Sequence, residues 1–176
     1  MSRPPLAPAR ARALLGRDVR GAVYVEFLIA FMPLFAFFSG LVQLAVLQTA
    51  DIVVKHAATV AARAAVVVLP DDPKFYGGAE LNHAEGQRLS DIQLAATIPL
   101  TAIDADPRVQ VTFPSSETGT DNLTAFDTHD TVYVRVAYTY ACAIPLGNVL
   151  ACGPGRVKNL VGVATMPNQG ANYDYP

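Results

Sequence analysis

Apolar and polar positions divide the chain into one long apolar run near its start and a remainder in which apolar residues recur at short periods. Between Phe27 and Ala50 there is no Asp, Glu, Lys, Arg or His. About 20 apolar residues cross a bilayer core of about 30 Å, so residues 22–50 read as a transmembrane helix. Glu26 is the one carboxylate near the start of that run. Pro33 removes a backbone donor inside it and predicts a kink, which membrane helices tolerate. After Ala50 the pattern becomes that of an amphipathic helix over 51–69. Asp51, Lys55, Thr59 and Arg63 recur at every fourth position as a polar stripe, with Asp51 and Lys55 in the favourable acid-then-base order. Ala57, Ala58, Ala61, Ala62 and Ala65 leave a face of small side chains. Small residues let another backbone approach closely, so this face is expected to meet a partner helix or the underside of the chain's own head. Leu69-Pro70-Asp71-Asp72-Pro73 ends the helix. A helix from Ala22 to Val68 would be a rod of roughly 70 Å at about 1.5 Å per residue.

Beyond it, residues 70–166 read as a small α+β head. Ala79 to Ala96 is a weaker helical stretch, with Leu81, Leu89, Ile92 and Ala96 on one side and Gly86 interrupting it. Arg108 to Phe113 alternates as a strand. Thr131 to Tyr140 does so more clearly, placing Val132, Val134, Val136, Tyr138 and Tyr140 on one face. Asn159 to Met166 is a third strand, and the segment before it reads as a hairpin loop. Residues 1–21 form a leader without an apolar run of its own, and 167–176 a polar tail. The fold expected is a long N-terminal helix feeding a head with one helix and an antiparallel sheet of about three strands.

Charge refines this picture. The chain has 13 bases and 15 acids. Arg3, Arg10, Arg12, Arg17 and Arg20 all fall in the leader beside a single acid, Asp18, so the remainder is net acidic. No basic face is left to neutralise phosphates, which argues against nucleic acid as a partner. Basic residues flanking a first apolar helix stay cytoplasmic; the N-terminus is expected inside and the head outside. Cys142 and Cys152 lie in the exported part, where a disulfide is permitted. Their spacing, with Gly153-Pro154-Gly155 beyond, suits a bridge at a hairpin end and lacks the paired ligands of a zinc site. Two free thiols are the other reading.

Catalytic chemistry has little to stand on. His56, His83 and His129 have no ligand spacing. Asp104, Asp106, Asp121, Asp127 and Asp130 lack the pattern of a calcium loop. No phosphate-binding glycine loop is present, and no cofactor is expected. Asn122-Leu123-Thr124 has the form of a glycosylation sequon.

Gly21 and Glu26 carry the sharper signal. A glycine, then four residues, then glutamate, between a basic leader and an uncharged helix, is the processing pattern of type IV prepilins. Ala22-Val23-Tyr24-Val25-Glu26-Phe27, the apolar run with Pro33, and the alanine-rich Ala57–Ala65 segment with Arg63 together resemble the TadE-like family. The likeness covers roughly residues 21–68, with Ala22 as a mild departure at the first mature position. Members of that family are pseudopilins or minor pilins of Tad (tight adherence, Flp-type) pilus systems. The resemblance implies a non-catalytic, membrane-anchored subunit cut after Gly21 by a prepilin peptidase. Its partners would be other pilin-like subunits and Tad assembly proteins. It also implies that Glu26 pairs with the new amine of Ala22 in a neighbouring subunit, which would neutralise two charges costly to bury alone. In the alternative, Glu26 is solvated at headgroup level. Two other functional readings stay open: an uncleaved single-pass protein with a ligand- or partner-binding head, and a signal-anchored extracytoplasmic enzyme.

Overall fold

A computed structural model describes residues 20–168; the leader 1–19 and the tail from 169 lie outside the described residues. The chain is α+β. Helix α1 (Arg20–Val68) is a single element of 49 residues that runs through Pro33 without interruption. It begins at Arg20, so the helix already includes the last residues of the expected leader. A 3-10 turn (Pro73–Tyr76) leads to α2 (Gly86–Leu100), then β1 (Val109–Thr112), β2 (Thr131–Ala141), a short α3 (Gly147–Cys152) and β3 (Val157–Pro167). The strands form one antiparallel sheet in the order β1-β2-β3.

Pairing fixes which side chains face inward. Val132, Val134, Val136 and Tyr138 of β2 lie opposite Met166, Ala164, Gly162 and Leu160 of β3. Partners share a face, and this face rests on α1, while α2 packs against α1 and β1. The core joins it to Val111, Phe113 and Phe126, to Ile92, Ala96 and Leu100 of α2, and to Ala50, Val54, Ala57, Ala58, Ala61, Ala62, Ala65 and Leu69 of the α1 region. The small-residue face of α1 is therefore enclosed by the chain's own head. Of the two partners expected for it, the head is the one present, and only the outward positions remain for other subunits. Lys55 and Arg63 are exposed, while Asp51 and Thr59 are half-buried.

The closest approach is at Gly162. A side chain there would put Cβ 2.6 Å from the Val54 carbonyl oxygen and 2.9 Å from the Lys55 Cα. Both are helix backbone and cannot rotate away. Glycine is required because the strand lies directly on the helix.

Several local expectations are corrected. The second helix starts at Gly86 rather than Ala79, because the residues before it are committed to turns. Gly77, Gly78 and Asn82 have positive φ. Asn82 N–H donates to Leu69 O at 2.8 Å and Ala84 N–H to Thr124 O at 2.8 Å, pinning this stretch to its neighbours. The helix also runs past Ala96 to Leu100. The third strand begins at Val157 and ends at Pro167, since β2 pairing continues from Thr131↔Pro167 to Ala141↔Val157. The polar tail accordingly begins later than residue 167: Asn168 is buried, and its Nδ2 donates to Asn82 Oδ1 (3.2 Å) and to the Asp127 carbonyl (3.0 Å). The segment between β2 and β3 is more than a hairpin loop. It contains α3, which folds back onto α1.

Gly162→Ala is expected to destabilise the head by about 1–3 kcal/mol, the usual cost of overpacking a close contact. Gly155→Ala, whose Cβ would meet only Val157 Cγ2 at 3.7 Å, should be near neutral. Urea unfolding of the detergent-solubilised protein, followed by circular dichroism, compares the two.

Candidate functional site

The functional candidates lie along α1, which has two parts. From Gly21 to Phe35 every position of the helix is exposed, Val23, Tyr24, Phe27, Ile29 and Leu34 among them. By length and composition α1 is long and apolar enough to cross a membrane. Phe27, Phe31 and Phe35 stack along it, with ring centroids 5.3 and 5.7 Å apart. Gly21, Ala22, Glu26, Phe27 and Pro33 all sit on this bare shaft and are exposed. A side chain at Gly21 would meet nothing within 4 Å. Glu26 makes no ion pair or hydrogen bond among the described residues.

From Ser39 onward the head closes on the helix, well inside the stretch 22–50. The first contact is α3. A side chain at Gly147 would collide with the backbone of Ser39, and one at Gly40 would come within 3.2 Å of Leu150 Cδ1. Two facing glycines thus let α3 lie against α1. Gln43, fully buried, accepts a hydrogen bond at its Oε1 from the Ile144 N–H at 3.1 Å. That bond gives an amide in an apolar helix a partner on the loop. The Cys142–Cys152 disulfide closes the segment, with Cα atoms 6.6 Å apart. Higher on the helix, Asp51 and Lys55 pair at 2.7 Å, a surface i,i+4 bridge between an exposed lysine and a half-buried aspartate, worth about 0.3–0.5 kcal/mol.

The top of α1 ends on Arg88 of α2. This residue is 0% exposed, and its guanidinium donates to the carbonyls of Val68, Asp71 (2.9 Å) and Ala79 (3.3 Å) while lying 4.4 Å over the Tyr76 ring. A cation at a helix C-terminus satisfies orphan carbonyls and complements the dipole. Sequence reasoning passed over Arg88, Gln43, Gly147 and Gly162. The available signals were an amide inside an apolar run and a basic residue on the buried side of an otherwise apolar helix.

The acids that could have held calcium are used within their own loops. Asp121 accepts from Ser115 N–H (3.1 Å), Asp130 from Asp127 N–H (2.9 Å), and Asp104 from Asp106 N–H (3.1 Å) and from the Tyr138 hydroxyl (2.8 Å). Among the described residues no group of three or more His, Cys, Asp or Glu could hold a metal ion. His83 donates from Nδ1 to the Leu81 carbonyl (2.9 Å) and faces Glu80, while His56 and His129 are exposed at other places. Asn122 of the sequon accepts from Phe113 N–H at 2.8 Å through its Oδ1. Of the surface grooves, one on the sheet is lined by Arg108, Gln110, Tyr138, Thr139 and Asn159, and another at α3 by Phe37, Gly40, Leu41, Leu44 and Leu150. Neither brings a nucleophile beside a base.

Comparison of the chain with protein families, curated proteins and solved structures finds no match.

Burial, and then the bond to Asp104, push the Tyr138 phenol up to about 12. The same bond, with the Asp106 N–H, holds Asp104 below its ordinary 3.8. The folded head therefore favours a protonated phenol and an ionised carboxylate. The Asp104 contribution is complete above 3.8 and is lost as pH falls through the lowered folded value. The Tyr138 contribution is complete below 10 and is lost as pH rises toward about 12. Tyr138→Phe should lower the urea midpoint at neutral pH, and its gap from wild type should shrink at both extremes. A gap constant with pH would show that the pair contributes nothing through linkage.

Proposed function

We propose that this chain is a membrane-anchored, non-catalytic pseudopilin or minor pilin resembling the TadE-like family and acting in Tad pilus assembly. In this reading a prepilin peptidase cuts between Gly21 and Ala22 on the cytoplasmic side. The chain crosses the cytoplasmic membrane once, with its disulfide-closed head outside. Glu26 takes the new amine of Ala22 from a neighbouring subunit. The observation that carries the reading is the Gly21-to-Glu26 spacing placed at the start of an exposed apolar shaft. A carboxylate is costly in such a helix, on the order of 2.5–3.5 kcal/mol at mid-bilayer, and has no partner within the described residues. A cut after Gly21 would supply one.

The shaft also supports assembly as the function. Residues 21–35 are exposed at every position and carry aromatic and aliphatic side chains, a surface suited to lipid and to the helices of similar subunits. The outward Lys55 and Arg63 extend that contact surface above the membrane.

N-terminal sequencing of the membrane-extracted protein from peptidase-positive cells tests the cut. The mature chain should begin at Ala22, and retention of residues 1–21 would instead favour an uncleaved single-pass protein. Glu26→Ala should leave membrane insertion intact and reduce incorporation or pilus yield by at least about tenfold. Removing one partner of a buried ion pair costs about 3–5 kcal/mol, more than such a loss requires. Normal pilus biogenesis by that variant would exclude the pairing.

A further inference from the structure

The loop closed by the disulfide carries no charged residue from Ala141 to Gly155. It is a second uncharged stretch, separated from the first by most of the chain. Its exposed side chains are apolar: Leu146 is 46%, Val149 54% and Leu150 64% exposed, whereas Gly147 and Asn148 face α1 and are buried. Leu146 is held at φ +61° and ψ −44°, with Gly147 N–H donating to the Pro145 carbonyl at 2.7 Å. This is a γ-turn of the rare, strained form, and the Leu at its centre is turned outward instead of into the core.

The height of the loop along α1 decides what it meets. Gly147 lies on Ser39, and Leu150 on Gly40. Counted from Ala22, about 20 residues are needed to cross the hydrocarbon, which reaches Leu41. Counted from Glu26 the same length reaches Ala45. Gly40 falls within the hydrocarbon either way, so the residue packed on it does too. Charge sets an upper limit independently. The first charged residue of α1 beyond Glu26 is Asp51, and the first after the loop are Arg156 and Lys158. Asp51 and Lys158 line one groove, with Leu47, Gln48, Ala151 and Leu160 between them. Two segments remote in sequence thus change from uncharged to charged at one level.

We propose that α3 and its flanks are a second membrane contact, in which Leu146, Val149 and Leu150 insert among the acyl chains of the outer leaflet. Arg156 and Lys158 sit above them at the level of the lipid phosphates. The occupant of the exposed face is lipid. The inference rests on α1 crossing the bilayer, and it adds that the head is seated in the membrane surface instead of standing clear of it on a stalk. The disulfide, the Gln43–Ile144 bond and the facing glycines hold the loop at that depth.

The chain contains no tryptophan, so one introduced indole reports alone. Full-length Leu150→Trp, Val149→Trp, Phe35→Trp and Tyr133→Trp variants are reconstituted in phosphatidylcholine vesicles with brominated acyl chains. Phe35 is on the bare shaft and Tyr133 is on the outer face of the sheet. The expected result is loss of most emission, with a blue shift, for positions 35, 149 and 150, and bright, red-shifted emission for Tyr133→Trp. Quenching at 35 with emission at 149 and 150 like that of Tyr133→Trp would overturn the inference while leaving the anchor in place. The face would then be open to a protein partner. No quenching at 35 would overturn both.

Discussion

The dependence on which this molecule rests is that one helix belongs to two parts of the structure. The head has no closed core of its own: Ala50 through Leu69 complete it, and the same helix continues downward as an apolar shaft. Alanine makes this possible. Its side chain is small enough for the sheet to lie almost on the helix backbone, and Gly162 removes the last obstacle. Larger residues on either side would hold the layers apart and open voids along the seam. Cavities of that kind cost roughly 24 cal/mol per Å³. The seam also makes the connection rigid, because the head grips α1 from Ser39 to Leu69 and no linker intervenes.

Polar groups follow the same logic. Where α1 ends, Arg88 meets the carbonyl of its last residue, Val68, and those of Asp71 and Ala79 in the turns beyond. Where it must carry an amide among apolar neighbours, Gln43 meets a loop N–H. Each buried acceptor left without a partner would cost about 1–3 kcal/mol, so these two contacts fix the register of the head on the helix at both ends. Gly147 and Gly40 fix the azimuth of α3 between them. The disulfide then confines the loop to this one seat.

Much of this was legible in the residues. The long helix and the three strands follow from period alone: Val132, Val134, Val136 and Tyr138 alternate too regularly to be anything else. The helix expected from Ala79 was misplaced because Gly77 and Gly78 close a local turn onto Pro73 and Asn82 is tied to the distant backbone of Leu69 and Phe126, and periodicity cannot see those bonds. The loop after Tyr140 looked like a connection because glycine and proline dominate it. One of its glycines, Gly147, instead marks close approach to a helix a hundred residues earlier, which no local pattern encodes. The alanine face was visible, but whether it meets another chain or its own head depends on long-range pairing. Arg88 hid for a similar reason, since a buried arginine is recognisable only once three carbonyls converge on it.

The grip of the head constrains what an assembly could look like. At 3.6 residues per turn, the positions of α1 that point away from the head include Phe27, Ile52, His56, Arg63 and Val67, all exposed. They run the length of the helix on one side. A neighbouring helix can lie along that side without displacing the sheet or α3, whereas the opposite side is closed from Ser39 upward. If Glu26 meets the Ala22 amine of a neighbour, four residues of rise set the two chains about 6 Å apart along the axis. Such a stagger is small against a helix of roughly 70 Å, so adjacent shafts would overlap over nearly their full bare length. The heads, rigidly fixed to their helices, would then be carried past one another by the same 6 Å or so. A flexible stalk would allow any head spacing. This seam would allow one, and under the proposed pairing it would be set by the distance between a carboxylate and an amine at the far end of the helix.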